Sequence, residues 1–210
     1  MNLRAWFFLL VVRPLLSLIL GAQVRHRERL PLNGPAIIAA NHNSHLDTLI
    51  LLTLFPIRQL RLVRPVAAAD YFLRGRFRSW FALTIIGIIP VVRGGPGGRN
   101  PLADCEAALD RGEILLLYPE GSRGAPEVLS GFKRGVAHLA RARPTAPVFP
   151  LFLYGLGKAL PKDEFLLVPF NCQIAIGEPL FGREDMDGFM ADLQARMTAL
   201  SAEIPRPLWS

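Results

Sequence analysis

From about residue 30 the chain alternates short apolar runs with longer periodic ones, and turn residues separate them. Residues 35–40 predict a buried strand, 44–54 a helix and 60–67 a second strand. Residues 71–86 interleave Tyr71, Phe72, Phe77, Trp80 and Phe81 with Arg74, Arg76 and Arg78, which predicts one or two short amphipathic helices. A short strand follows at 88–92, then a flexible loop from Gly94 to Gly98. Asn100 and Pro101 predict a helix start, with the asparagine as cap and the proline in the first turn, and Gly112 closes that helix. Next come a strand at 113–118, a loop at 119–130, a helix at 132–143 and a strand at 147–154. A strand pair at 165–168 and 172–176 and an amphipathic helix at 185–204 complete the pattern. Strands alternating with helices predict a single α/β domain with a mixed, largely parallel sheet flanked by helices.

The first 22 residues are apolar enough in length to span a bilayer, yet Arg13 and Pro14 interrupt them at the centre. An arginine there costs about 2.5–3.5 kcal/mol on insertion scales, and proline removes a helix hydrogen bond. The prediction is a kinked helix lying in or dipping into the membrane interface, with Arg4 and Trp6 near the headgroups. A cleaved signal peptide is the alternative, although Arg13 then falls inside its apolar core. The chain therefore divides into an N-terminal membrane-associated segment, 1–29, and a domain, 30–210.

Apolar residues make up 51% of the 210, and Lys and Arg exceed Asp and Glu by 24 to 17. That is greasy for a soluble enzyme but lacks the long uncharged runs of a polytopic membrane protein. The positive surplus draws the protein toward anionic lipid, phosphorylated substrates or nucleic acid. The hydropathy and the apolar N-terminus argue against nucleic acid, for which only the charge and the arginine-interleaved aromatics speak. Cys105 and Cys172 stand apart with neither a disulfide framework nor a zinc spacing, which fits a reducing cytoplasm.

Polar side chains crowd Asn41-His42-Asn43-Ser44-His45-Leu46-Asp47, where a strand ends and a helix begins. Reacting groups in open α/β sheets gather at such carboxyl ends. On one regular helix His42 and Asp47 point about 140° apart. They meet only if His42 precedes the helix and the chain breaks near Ser44. Asp47 then accepts a hydrogen bond from one ring nitrogen, and the other takes a proton from an attacking hydroxyl. The same segment also fits a capping box between Ser44 and Asp47, and a metal site using His42, His45 and Asp47 is a third reading.

Asn41-His42-x-Ser44-x-x-Asp47 resembles the first signature of the glycerolipid acyltransferase family, which includes the lysophosphatidic acid acyltransferases. Gly87-Ile88-Ile89-Pro90-Val91-Val92-Arg93 is similar to the second block, with Pro90 where many members have phenylalanine. Tyr118-Pro119-Glu120-Gly121-Ser122-Arg123 resembles the third, with Ser122 replacing threonine. Phe132-Lys133-Arg134-Gly135 follows the third as the family's Phe-Lys-x-Gly does, and Pro147-Val148-Phe149-Pro150 resembles the fourth. Four spaced blocks between about 35 and 155 are far more specific than one.

The resemblance implies direct acyl transfer from a coenzyme A or acyl carrier protein thioester to a lysolipid hydroxyl, with no cofactor or metal. In that scheme His42 is the base and Asp47 its orienter. Arg93 and Arg123 fork onto a phosphate, Gly121 lets backbone approach it, and Ser122 and Lys133 assist. Asn41, Ser44 and Glu120 support the site, Glu120 as a buried partner of an arginine that shapes the loop. Pro147 and Pro150 shape the sheet edge. The acceptor lies in a bilayer, which predicts docking at the cytoplasmic face of a membrane through the N-terminal segment and through residues 71–86, for which packing against the sheet is the alternative and the alternating arginines favour headgroups. Lysophosphatidic acid is the leading acceptor, with glycerol 3-phosphate, another lysophospholipid or an ornithine lysolipid as rivals. A non-catalytic lipid-binding protein leaves His42 and Asp47 without a purpose.

Overall fold

In the computed structural model, which describes residues 2–44, 46–92, 100–124, 129–159 and 170–205, seven strands form one sheet. They are β1 Leu20–Arg25, β2 Ala36–Ala40, β3 Val63–Ala68, β4 Ile89–Val91, β5 Ile114–Leu117, β6 Val148–Tyr154 and β7 Phe170–Ile176, ordered β1-β7-β6-β2-β5-β3-β4. Every pairing is parallel except β6 with β7, which is antiparallel, so the sheet is mixed and largely parallel. The predicted strand at 165–168 and the loop at 94–98 lie outside the described residues. Residues 172–176 belong to β7, which pairs with β6 and β1.

Strand periodicity sorts the core into two faces. From β2, Ile38 and Ala40 point to one side with Ile50 and Leu51 of the following helix, Phe55 just after it, and Phe8, Val12 and Leu16 from the N-terminus. Ile37 and Ala39 point to the other, with Cys105, Leu109, Leu139, Leu193 and Met197. All five β2 residues are buried, as a central parallel strand covered on both faces requires. Helices α1 Leu3–Phe7, α2 Arg13–Ile19 and α3 Leu46–Thr53 cover the first face; α6 Ala103–Asp110, α7 Gly135–Ala142 and α9 Met186–Glu203 cover the second. The short helices α4 Ala69–Phe72 and α5 Arg76–Trp80 follow β3, and α8 Leu156–Ala159 follows β6.

Several boundaries differ from the pattern-based reading. Residues 20–25, expected inside the N-terminal segment, form β1 and pair with β7, so that segment joins the sheet of the following domain. Only Leu20 of β1 is buried, which is why no alternation betrayed an edge strand. The N-terminal helix passes Pro14 through a π-helical stretch, Phe8–Val12, in which the Arg13 N–H reaches the Phe8 carbonyl. Widening the turn accommodates the ring without breaking the helix. Arg4 is buried rather than near headgroups, because its guanidinium donates to the Leu60 carbonyl at 2.7 Å and the Val63 carbonyl at 3.0 Å. Burial, with Arg64 nearby, lowers its pKa to about 10.

Arg13 donates to the carbonyls of Thr53 and Phe55, and Arg27 to that of Leu54, so two cations cap the C-terminal end of α3. The helix at 100–112 starts at Ala103, with the Asn100 side chain accepting from Leu102 N–H in the turn before it. Pro150 lies within β6 rather than at a sheet edge; pairing with β7 starts only at Leu151, which leaves room for a residue without an N–H.

Candidate active site

β2 and β5 are parallel neighbours with Ala39 opposite Leu117, so their carboxyl ends release two segments side by side: Asn41-His42 and Tyr118-Pro119-Glu120. Asn41 prolongs the β2–β6 pairing with its side chain, accepting from Leu153 N–H at 2.7 Å and donating to Leu153 C=O at 2.9 Å. This buried amide fixes the point where the chain leaves the sheet. α3 then begins only at Leu46, and His42 precedes it, as a meeting of the two side chains requires.

His42 Nδ1 lies 2.9 Å from Asp47 Oδ2. The same oxygen accepts from the N–H groups of Asn43 at 2.7 Å and Ser44 at 2.8 Å, and Ser44 Oγ accepts from Leu46 N–H at 3.3 Å. The dyad and the reach-back half of a capping box therefore coexist in one carboxylate. Asp47 is fully buried and the His42 side chain is 20% exposed. A buried carboxylate at Nδ1 sets the tautomer, and Nε2 is the ring nitrogen positioned to exchange a proton with a group in the adjoining cavity. His45, the third member of the metal reading, lies outside the described residues.

Glu120 is buried and holds the two segments together. Oε1 accepts from His42 N–H at 3.0 Å, and Oε2 accepts from Ser130 Oγ at 2.6 Å and its N–H at 3.4 Å. Among the described residues its partners are thus a hydroxyl and backbone amides. The Gly124 N–H returns to the His42 carbonyl at 2.9 Å, closing the loop over the histidine.

Gly121 has φ +72°, and a Cβ there would come within 2.8 Å of the outer atoms of Lys133, which stretches across it. Lys133 N–H is anchored on the Pro119 carbonyl. His42, Gly121, Ser122, Arg123 and Lys133 all line one cavity of about 750 Å³. Nη1 of Arg123 is buried with no hydrogen-bond partner among the described residues. A guanidinium left this way in a cavity fits an anionic group of a ligand. Arg93 lies outside the described residues, and Arg134 points away to Asp187.

Beyond this polar mouth the cavity becomes apolar, walled by Leu49, Val66, Phe81, Ile86 and Ile88, with Phe7 of α1 among its lining residues. The Phe7 and Phe81 rings meet edge to face at 5.6 Å, so the N-terminal helix supplies part of the wall. Pattern reading missed this wall and also missed the contact of Tyr118 with His42, whose rings stack at 4.0 Å. The only sequence signal for Tyr118 was its place at the head of the third block.

The site thus joins a His–Asp pair, at the carboxyl ends of parallel strands, to a cavity with largely apolar walls. Residues 21–154 match the model of the Acyltransferase family, and the chain belongs to that family. It is 29% identical over 158 residues to the chloroplastic 1-acyl-sn-glycerol-3-phosphate acyltransferase LPAT1 of Arabidopsis thaliana, covering 74% of this chain and 42% of that protein. It is 27% identical over 184 residues to the 1-acyl-sn-glycerol-3-phosphate acyltransferase of Pseudomonas aeruginosa, covering 86% and 67%. The chain spans less than half the length of the chloroplastic relatives it matches. The fold is that of the 1-acyl-sn-glycerophosphate acyltransferase PlsC of Thermotoga maritima, with TM-score 0.76 at 17% identity over 97% of this chain and 81% of that one.

Proposed function

We propose that this protein transfers a fatty acyl group from acyl-coenzyme A or acyl carrier protein to the hydroxyl of lysophosphatidic acid, giving phosphatidic acid. The observation that carries this reading is the His42–Asp47 pair opening onto a cavity with cations at the mouth and apolar walls beyond. His42 Nε2 takes the hydroxyl proton as the oxygen attacks the thioester carbonyl, and Asp47 stabilises the imidazolium. The tetrahedral adduct collapses with cleavage of the C–S bond, and the imidazolium returns its proton to the departing thiolate. Arg123 and Lys133, with Arg93, hold the acceptor's phosphate, and the apolar arm takes an acyl chain.

The reaction takes place at a membrane surface on this reading. Leu10, Leu18, Phe77 and Trp80 are exposed on two helical segments that the Phe7–Phe81 contact holds together. No described helix is long and apolar enough to cross a bilayer. The exposed apolar side chains of the two segments support docking in one leaflet, which this reading places at the cytoplasmic face. Purified protein in anionic vesicles is given lysophosphatidic acid with each thioester donor, beside His42→Ala. The expected result is acceptor-dependent thiol release with phosphatidic acid formation, lost in the variant. Turnover only with another lysolipid overturns the acceptor assignment, and no turnover with any lysolipid overturns catalysis.

A further inference from the structure

We propose that Tyr118 is a positioning residue of the proton-transfer step: its ring face holds the His42 imidazole in the orientation that meets Asp47 and favours the imidazolium as it forms. This rests on the reading of His42 as the general base. The hydrogen bond between Nδ1 and Asp47 fixes one edge of the imidazole, and a contact on the ring face restricts rotation about that bond and so aims Nε2. Tyr118 supplies it, with ring centroids 4.0 Å apart and planes inclined by 18°.

The placement follows from the sheet. Tyr118 is the residue after β5, whose last residue Leu117 is paired with Ala39, so the two rings leave neighbouring strand ends together. The Tyr118 hydroxyl is 2.8 Å from Thr48 Oγ1, one residue beyond Asp47. The first turn of α3 thereby fixes the group that meets the edge of the imidazole and the group that covers its face. Burial pushes the Tyr118 phenol well above its ordinary pKa, the Asp47 charge adds to this and the Thr48 bond opposes it, so the ring stays neutral. The negative face of a neutral aromatic ring attracts a cation more than a neutral imidazole. The contact is therefore stronger when the proton has moved than before, which is the property that accelerates a step rather than merely filling space.

The test follows the His42 ring titration by NMR, assigned by its loss in His42→Ala, together with the pH profile of kcat/KM. Wild type, Tyr118→Phe, Tyr118→Leu and Tyr118→Met are compared as full chains in micelles. In the Leu and Met variants the titration midpoint is expected to fall by about 0.5 to 1 unit. The acid limb of kcat/KM moves down equally, and kcat drops about tenfold with KM for the acceptor unchanged. Tyr118→Phe, which keeps the ring face, retains the wild-type midpoint. The Met variant, unbranched and adaptable, decides the matter if Leu prevents folding. An unchanged midpoint in a folded aliphatic variant overturns the proposal. A midpoint that moves while the acid limb stays also overturns it, and locates the failure in the assignment of His42 as the base.

Discussion

The mouth of the cavity and its apolar arm are built by opposite means. At the mouth, the buried side chains of Asn41, Asp47 and Glu120 each hydrogen-bond to backbone groups, fixing segments that no helix or strand holds. The arm is closed by apolar contacts between α1, the 76–86 segment and the sheet, with Arg4 reaching back to two carbonyls as its polar tie. Directional bonds give the mouth one geometry, whereas non-directional packing gives the arm a shape that tolerates adjustment. Substitution at the mouth should therefore remove chemistry, and substitution in the arm should alter which substrate is used.

The largest effect is expected at the dyad. His42→Ala lowers turnover about 10²- to 10⁴-fold with a melting temperature near wild type. Asp47→Ala matches that loss and also destabilises the fold by about 2–4 kcal/mol, because the Asn43 and Ser44 amides lose their buried acceptor. Steady-state rates and denaturant unfolding separate the two. Arg123→Ala comes next, raising KM for lysophosphatidic acid about 10- to 100-fold with little change in kcat, and lysine recovers part of the loss.

Glu120→Gln turns one acceptor oxygen into a donor facing an N–H or a hydroxyl, and costs about 1–3 kcal/mol in urea unfolding. In the arm, Phe81→Ala enlarges the apolar wall, and a mixture of donors should show a several-fold shift toward bulkier acyl chains while turnover persists. The smallest effect is at the exposed surface: Leu18, 85% exposed, changed to Ser weakens vesicle flotation several-fold without moving the melting curve. The contrast between the two regions breaks if Phe81→Ala abolishes turnover, or if Arg123→Ala changes chain-length choice instead of acceptor KM.

The pattern of polar and apolar residues located β2, β3, β5 and β6, and α3, α7 and α9, to within a few residues, because each carries its own periodicity. It failed at β1, whose residues are mostly exposed and whose partner β7 lies about 150 residues away. It also misjudged Arg4, since a lone arginine in an apolar helix reads as a surface anchor until two carbonyls 56 and 59 residues away are brought to it. Glu120 was legible as a buried support of the loop, but its partners, backbone amides at 42 and 130, were not.

The sequence by itself determined the class of sheet and the spacing that requires His42 to stand before a helix. These are local facts, written in periodicity and in the conformations that neighbouring residues allow. Only the tertiary structure decided that one Asp47 oxygen meets both the amides before α3 and His42 Nδ1, that Tyr118 covers the imidazole, and that an N-terminal helix completes the apolar wall. Those contacts depend on strand register and on which faces pack together, and the free energy that selects them is shared among residues far apart in the chain.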